Sequence, residues 1–158
     1  MGEPDIKFMQ LAIQLARDGM NAGTGGPFGC VIVKHNKVLA SGKNAVTSTN
    51  DPTAHAEVVA IREACRLLTT YQLTGCDLYT SCEPCPMCLG AIYWARPDRV
   101  YYACNRNDAA DAGFDDHFIY DQLSQPVTNR SIPMLSLERE NGVLVFTEWK
   151  KKTDKLLY

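Results

Sequence analysis

The chain has 158 residues, of which 46% are hydrophobic and 22% charged, and a formal net charge of −2 at pH 7. A chain of that length fits a single domain, residues 1–158, and buries roughly 68–70% of its unfolded surface, while its ordinary composition excludes a disordered or membrane protein. The slightly acidic balance lacks the basic footprint of a protein that grips many phosphates, so a small uncharged ligand is expected, with no nucleic acid and no membrane among the partners. Seven cysteines in a chain without a secretion signal point to reduced thiols rather than a disulfide framework. The opening Met1-Gly2-Glu3-Pro4-Asp5-Ile6 has no basic or apolar leader region and no Ser/Thr at position six for lipidation. A cytoplasmic location is therefore expected.

Phe8, Leu11, Ala12 and Leu15 recur at helical spacing before Gly23 to Gly26 break the pattern, which predicts a first helix over about residues 5–20. Cys30-Val31-Ile32-Val33 and Val38-Leu39-Ala40 flank the polar Lys34-His35-Asn36-Lys37 and predict a β-hairpin with His35 in its turn. After Asn50-Asp51-Pro52, the spacing of Val58, Ile61, Ala64, Leu67 and Leu68 predicts a second helix, and Asp77-Leu78-Tyr79-Thr80 a third strand. A third helix opens at Cys85. Val100 to Ala103 and Met134 to Leu137 predict strands four and five around a poorly patterned stretch, and Gly142 to Tyr158 a final helix whose Lys150-Lys151-Lys152 is a solvated face. This order predicts an α/β fold with one mixed five-stranded sheet and helices on both faces. Cys30, Cys65, Cys76 and Cys104 read as buried small apolar residues.

His55-Ala56-Glu57 and Pro84-Cys85-Pro86-Met87-Cys88 carry the chemistry, with His55 and Cys85 30 positions apart. That separation leaves room for one helix and one strand, enough chain to bring two helix starts side by side. A structural zinc takes four protein ligands, whereas a catalytic zinc takes three and keeps a position open. His55, Cys85 and Cys88 supply three, so one Zn2+ per chain is expected, and Glu57 is a spare carboxylate able to move protons. Residues two apart on a helix subtend roughly 200°, so His55 must sit at a helical start, and Asp51-Pro52 is suitable cap-and-first-turn punctuation. Cys85 and Cys88 share one face of a first turn, where the helix dipole and exposed N–H groups favour thiolates. The competing structural site would add Cys82 to make a closed Cys3His cage. His117, beside Asp116, reads as a surface or supporting residue.

The H-x-E and P-C-x-x-C pair is the signature of zinc nucleobase deaminases. With Gly25-Gly26-Pro27-Phe28-Gly29, Asn50 to Glu57, Ser81 to Cys88, Ile92-Tyr93-Trp94-Ala95-Arg96-Pro97 and Ala112-Gly113-Phe114-Asp115-Asp116, the chain resembles the cytidine deaminase superfamily nearly end to end. Within it, the chain is most similar to the branch that hydrolyses guanine to xanthine and ammonia. The resemblance implies a three-layer α/β/α sandwich with a catalytic Glu57. It also implies substrate contacts from Asn44, Phe28, Ala56, Trp94, Asp116 and Tyr158, and a homodimer whose C-terminal segment, about 142–158, is exchanged between subunits. From the residues alone, Trp94 reads equally well as a core aromatic, and Asp115 or Asp116 as a solvated acid or cap. Guanosine, tRNA adenosine and cytosine deamination are rival activities, and a non-catalytic zinc-stabilised interaction module is a rival class. Glu57 argues against the last, and the bulk of Trp94 favours a free base over a nucleoside.

Overall fold

Four strands form one mixed sheet in the computed structural model, which describes residues 4–158. The expectation of no leader or lipidation signal rests partly on residues 1–3, outside the described residues. The chain divides into two compact units, Met1–Asp116 and His117–Tyr158. In the first, β1 (Gly29–Lys34) lies between β2 (Lys37–Lys43) and β3 (Cys76–Cys82), antiparallel to both, and β3 pairs in parallel with β4 (Arg99–Cys104), giving the order β2-β1-β3-β4. The β1–β2 turn is two residues long, between the paired Lys34 and Lys37. His35 and Asn36 both have positive φ, 49° and 58°, the hand that matches strand twist in a tight hairpin.

Alternation along these strands separates two cores. Val31, Val33 and Tyr79 pack with Phe8 and Ala12 of α1 (Ile6–Asn21) on one face. Cys30, Ile32 and Leu78 pack with Ala56, Ala60, Ile61 and Ala64 of α3 (Ala56–Leu68) and with Ile92 and Ala95 of α4 (Pro86–Ala95) on the other. The unit is thus three-layered, and each fully buried Ile, Leu or Val contributes roughly 1.5–3 kcal/mol of transfer free energy. Asp5 caps α1, accepting from the Lys7 N–H at 3.0 Å. Helix and sheet meet closely at two glycines. A Cβ on Gly29 would stand 2.2 Å from the Ala12 carbonyl oxygen of α1, and one on Gly42 2.2 Å from that of Ala56 in α3.

Met134 to Leu137 form no strand. The sheet has four strands, not five. A four-residue segment with one polar position, Ser136, is too short to specify which side to bury, and Pro133 in front of it brings no N–H to a ladder. Leu135 and Leu137 are largely exposed. The stretch after β4 instead holds α5 (Arg106–Asp111), opened by an Asn105/Asp108 capping box, and, in the second unit, α6 (His117–Ser124) and a 3-10 turn, Val127–Asn129. The single-turn α2 (Val46–Thr49) precedes α3 and ends at left-handed Asn50.

The last helix, α7, runs Arg139–Lys151, starting earlier than predicted and stopping seven residues before Tyr158. Its end is satisfied locally by the Lys155 ammonium, which donates to the carbonyls of Lys150 at 2.7 Å and Trp149 at 3.4 Å. Lys150, Lys151 and Lys152 are exposed. All seven cysteines are free. Cys30 and Cys76 are buried and Cys65 half-buried, but Cys104 is exposed at the last position of edge strand β4. Among the described residues no helix is long and apolar enough to cross a membrane.

Candidate metal centre

Two helix starts meet on one face of the sheet. His55 is the cap of α3 with extended backbone, φ −69° and ψ 154°, and Cys85 is the cap of α4 with φ −64° and ψ 168°. Pro86 opens α4, where its missing N–H costs no helical bond. Because His55 stands outside the helical turn, the angular objection to His55 and Glu57 facing one point disappears. Asp51 is no helix cap. Its carboxylate accepts from the Thr53 N–H at 2.8 Å and the Thr53 hydroxyl at 2.7 Å, turning the segment ahead of His55.

His55 Nδ1 lies 3.5 Å from the sulfurs of both Cys85 and Cys88, and the three ligand atoms all fall within 4.8 Å of one another. Tetrahedral Zn–N and Zn–S bonds of about 2.05 and 2.3 Å put N and S about 3.6 Å apart, so this donor set fits zinc. Cys82 is not in the group: its thiol points at the Asn105 carbonyl at 3.7 Å, and burial pushes its pKa up to about 11. The Cys85 thiol is instead lowered to about 4, chiefly by the hydrogen bond from Cys88 and then by His55. Cys88 is pushed the other way by facing Cys85 across that bond, by burial and by Glu57. Zinc binding requires both thiols to lose their protons, and the shift of Cys85 favours its thiolate. Contact with Cys85 raises His55.

Glu57 is buried in the first turn of α3. Its Oε2 lies 3.4 Å from the Cys88 sulfur and its Oε1 accepts from the Thr80 hydroxyl at 3.2 Å. Burial raises its carboxyl above the usual range, suiting it to hold and release a proton. Beside it, Ala56 is fully buried. The buried Asn44 accepts at Oδ1 from the N–H groups of Gly26 at 3.3 Å and Val46 at 3.2 Å. A Cβ on Gly25 would meet that Oδ1 at 2.2 Å. Phe28 and Phe114 pack edge to face with centroids 4.9 Å apart.

Trp94 on α4 is 63% exposed, which removes its reading as a core aromatic. Asp116 is half-buried at the end of the first unit, and His117 and Tyr158 are exposed residues of the second. Sequence reasoning missed Thr80 as the hydrogen-bond partner of Glu57 and Phe114 as the ring packed on Phe28. The first needed the strand's facing to be known. The second carries no chemical signal of its own beside Asp115 and Asp116.

Residues 3–104 match the family described as the cytidine and deoxycytidylate deaminase zinc-binding region. The chain belongs to that family of zinc-binding deaminases, and its α/β architecture with a mixed sheet is the cytidine-deaminase-like fold. It is 55% identical to the guanine deaminase of Bacillus subtilis (strain 168) over 151 residues, 96% of this chain and 97% of the relative. A crystal structure of guanine deaminase from Bacillus subtilis matches at a TM-score of 0.95 and 53% identity, with 99% of each chain covered. The tRNA-specific adenosine deaminase of Aquifex aeolicus (strain VF5) is 33% identical over 92% of this chain and 93% of its own.

Proposed function

We propose that this chain is a zinc-dependent aminohydrolase that converts guanine and water to xanthine and ammonia. What carries the reading is 55% identity to a guanine deaminase along 96% of the chain, with a buried carboxylate at the candidate zinc site. His55, through Nδ1, and the thiolates of Cys85 and Cys88 would hold one zinc per chain. Bound zinc supplies the Lewis acidity that brings the pKa of water to about 7.

Glu57 takes a proton from the attacking water and hands it to the ring nitrogen beside the aminated carbon as the water oxygen bonds to that carbon. It then relays the second proton to the amino nitrogen, the C–N bond breaks, and ammonia leaves. Helix-start N–H groups stabilise charge on the carbon-centred intermediate. Asn44, its Oδ1 already engaged by two backbone donors, keeps its NH2 group to donate to an acceptor on the base. Phe28 and Trp94 line the base slot over Ala56, Asp116 pairs with base N–H groups, and Tyr158 closes the pocket.

Residues 1–158 act as one deaminase domain, in a cytoplasmic homodimer that exchanges residues 142–158 or so. Support for exchange comes from the tail itself, where Leu156, Leu157 and Tyr158 are more than 70% exposed. Refolding a Glu57→Ala chain together with one lacking Tyr158 tests it: random pairing makes about a quarter of sites competent under exchange and none without it.

The activity is tested by measuring ammonia release from guanine, guanosine, cytosine, adenine and a tRNA anticodon stem-loop with zinc-loaded protein. Guanine is expected to lead, because Asp116 pairs with its N–H groups and a base without them leaves that carboxylate unpaired. Preference for the stem-loop or for cytosine overturns the assignment.

A further inference from the structure

We propose that Thr80 is a positioning residue for Glu57, anchoring Oε1 and so committing Oε2 to proton transfer. The inference rests on the aminohydrolase reading above. Thr80 pairs with Cys30 across β1 and β3 and shares the α3-facing side of β3 with Cys76 and Leu78, both core residues. A hydroxyl among such neighbours is out of place. It is 1% exposed, Glu57 is 6% exposed, and the two are joined at 3.2 Å. A buried hydroxyl or carboxylate is tolerated only when hydrogen-bonded, and these two satisfy each other across 23 residues of chain.

The geometry gives the bond a second consequence. The last torsion of a glutamate side chain is broad and two-fold, so an unanchored carboxylate samples a range of planes and interchanges its oxygens. With Oε1 accepting from Thr80 and Oε2 lying 3.4 Å from the Cys88 sulfur, one oxygen is tied to the sheet and the other faces the ligand triad. The Thr80 hydroxyl is directed at Glu57 and not at the triad. It acts through Glu57, narrowing the orientations from which a proton is delivered.

A purely structural Thr80 would change stability and leave turnover of the folded enzyme alone, so the test separates the two. Thr80→Val keeps the shape and deletes the donor; Thr80→Ser keeps the donor and deletes a methyl. Zinc content, thermal midpoint, xanthine affinity, and kcat and KM for guanine are measured on each. Thr80→Val is expected to hold a full equivalent of zinc and to bind xanthine as wild type does. Its KM should stay within about twofold while kcat falls ~10- to 100-fold, and Thr80→Ser should restore kcat to within about threefold. If valine crowds the site and the variant does not fold, Thr80→Ala is expected to show the same loss. Wild-type kcat in zinc-loaded Thr80→Val, or an equal loss in Thr80→Ser, overturns the inference. Wild-type protein that deaminates another base but not guanine overturns only the guanine assignment, and the comparison is then run on that base. Wild-type protein inert toward every base overturns both.

Discussion

The two faces of the sheet solve one packing problem in the same way and are then put to different uses. On each, a helix settles over a glycine, Gly29 beneath α1 and Gly42 beneath α3, so closely that a Cβ would stand 2.2 Å from a helical carbonyl oxygen. On the α1 face the side chains nearest the strands are Phe8, Ala12 and Ala16, and the contact serves packing. On the other face the carbonyl in question belongs to Ala56, between His55 and Glu57, and the helices start where ligands are needed. Close packing stabilises the first face. On the second it also fixes where Glu57 stands.

The largest way to probe this difference is Glu57→Gln, expected to retain zinc while kcat falls ~10²- to 10⁴-fold. Near-normal turnover with zinc bound would return the second face to packing alone. On the first face, Phe8→Ala should cost about 3–5 kcal/mol of stability and leave zinc content and the kcat of the folded protein as they were, measured by denaturant unfolding, metal analysis and assay. A fall in kcat there would mean the faces are not independent. The glycines sharpen the contrast further. Gly29→Ala and Gly42→Ala should each destabilise by roughly 1–3 kcal/mol, but only Gly42→Ala should also lower kcat, since its Cβ presses on the Ala56 carbonyl between His55 and Glu57. The smallest effect is expected from Cys82→Ala, whose thiol already serves the Asn105 carbonyl. Its zinc stoichiometry should match wild type, and a loss of metal would show a four-ligand structural site.

Much of this was legible in the residues because local rules and tertiary structure agree. His35-Asn36 specified a tight hairpin, and proline next to a candidate ligand marked a helix start at Cys85. His55 stands at the helical start that facing one ion together with Glu57 requires, but Asp51 does not cap it: Asp51 turns the preceding loop and His55 itself occupies the cap. What failed depended on partners distant in sequence. Met134 to Leu137 look like a strand by composition, but strands exist through their neighbours, and none pairs with them among the described residues. Cys104 was expected inside because cysteine usually is; it lies on an edge strand, where burial depends on what covers it. Thr80 carried no local signal, since its meaning appears only when Cys30 is placed opposite and Glu57 beneath.

The strand order β2-β1-β3-β4 also dictates an order of assembly. The β1–β2 hairpin closes over two residues and can form within about 1–10 μs. β1 meets β3 only when Cys30 finds Thr80, 50 positions along the chain, and such distant pairings wait on loop closure. His55 lies inside that loop and Cys85 and Cys88 beyond its far end, so the ligand set converges only after the slow pairing is made. Zinc added during refolding is therefore expected to leave the early hairpin phase untouched and to act on the last step, locking a finished site rather than nucleating one.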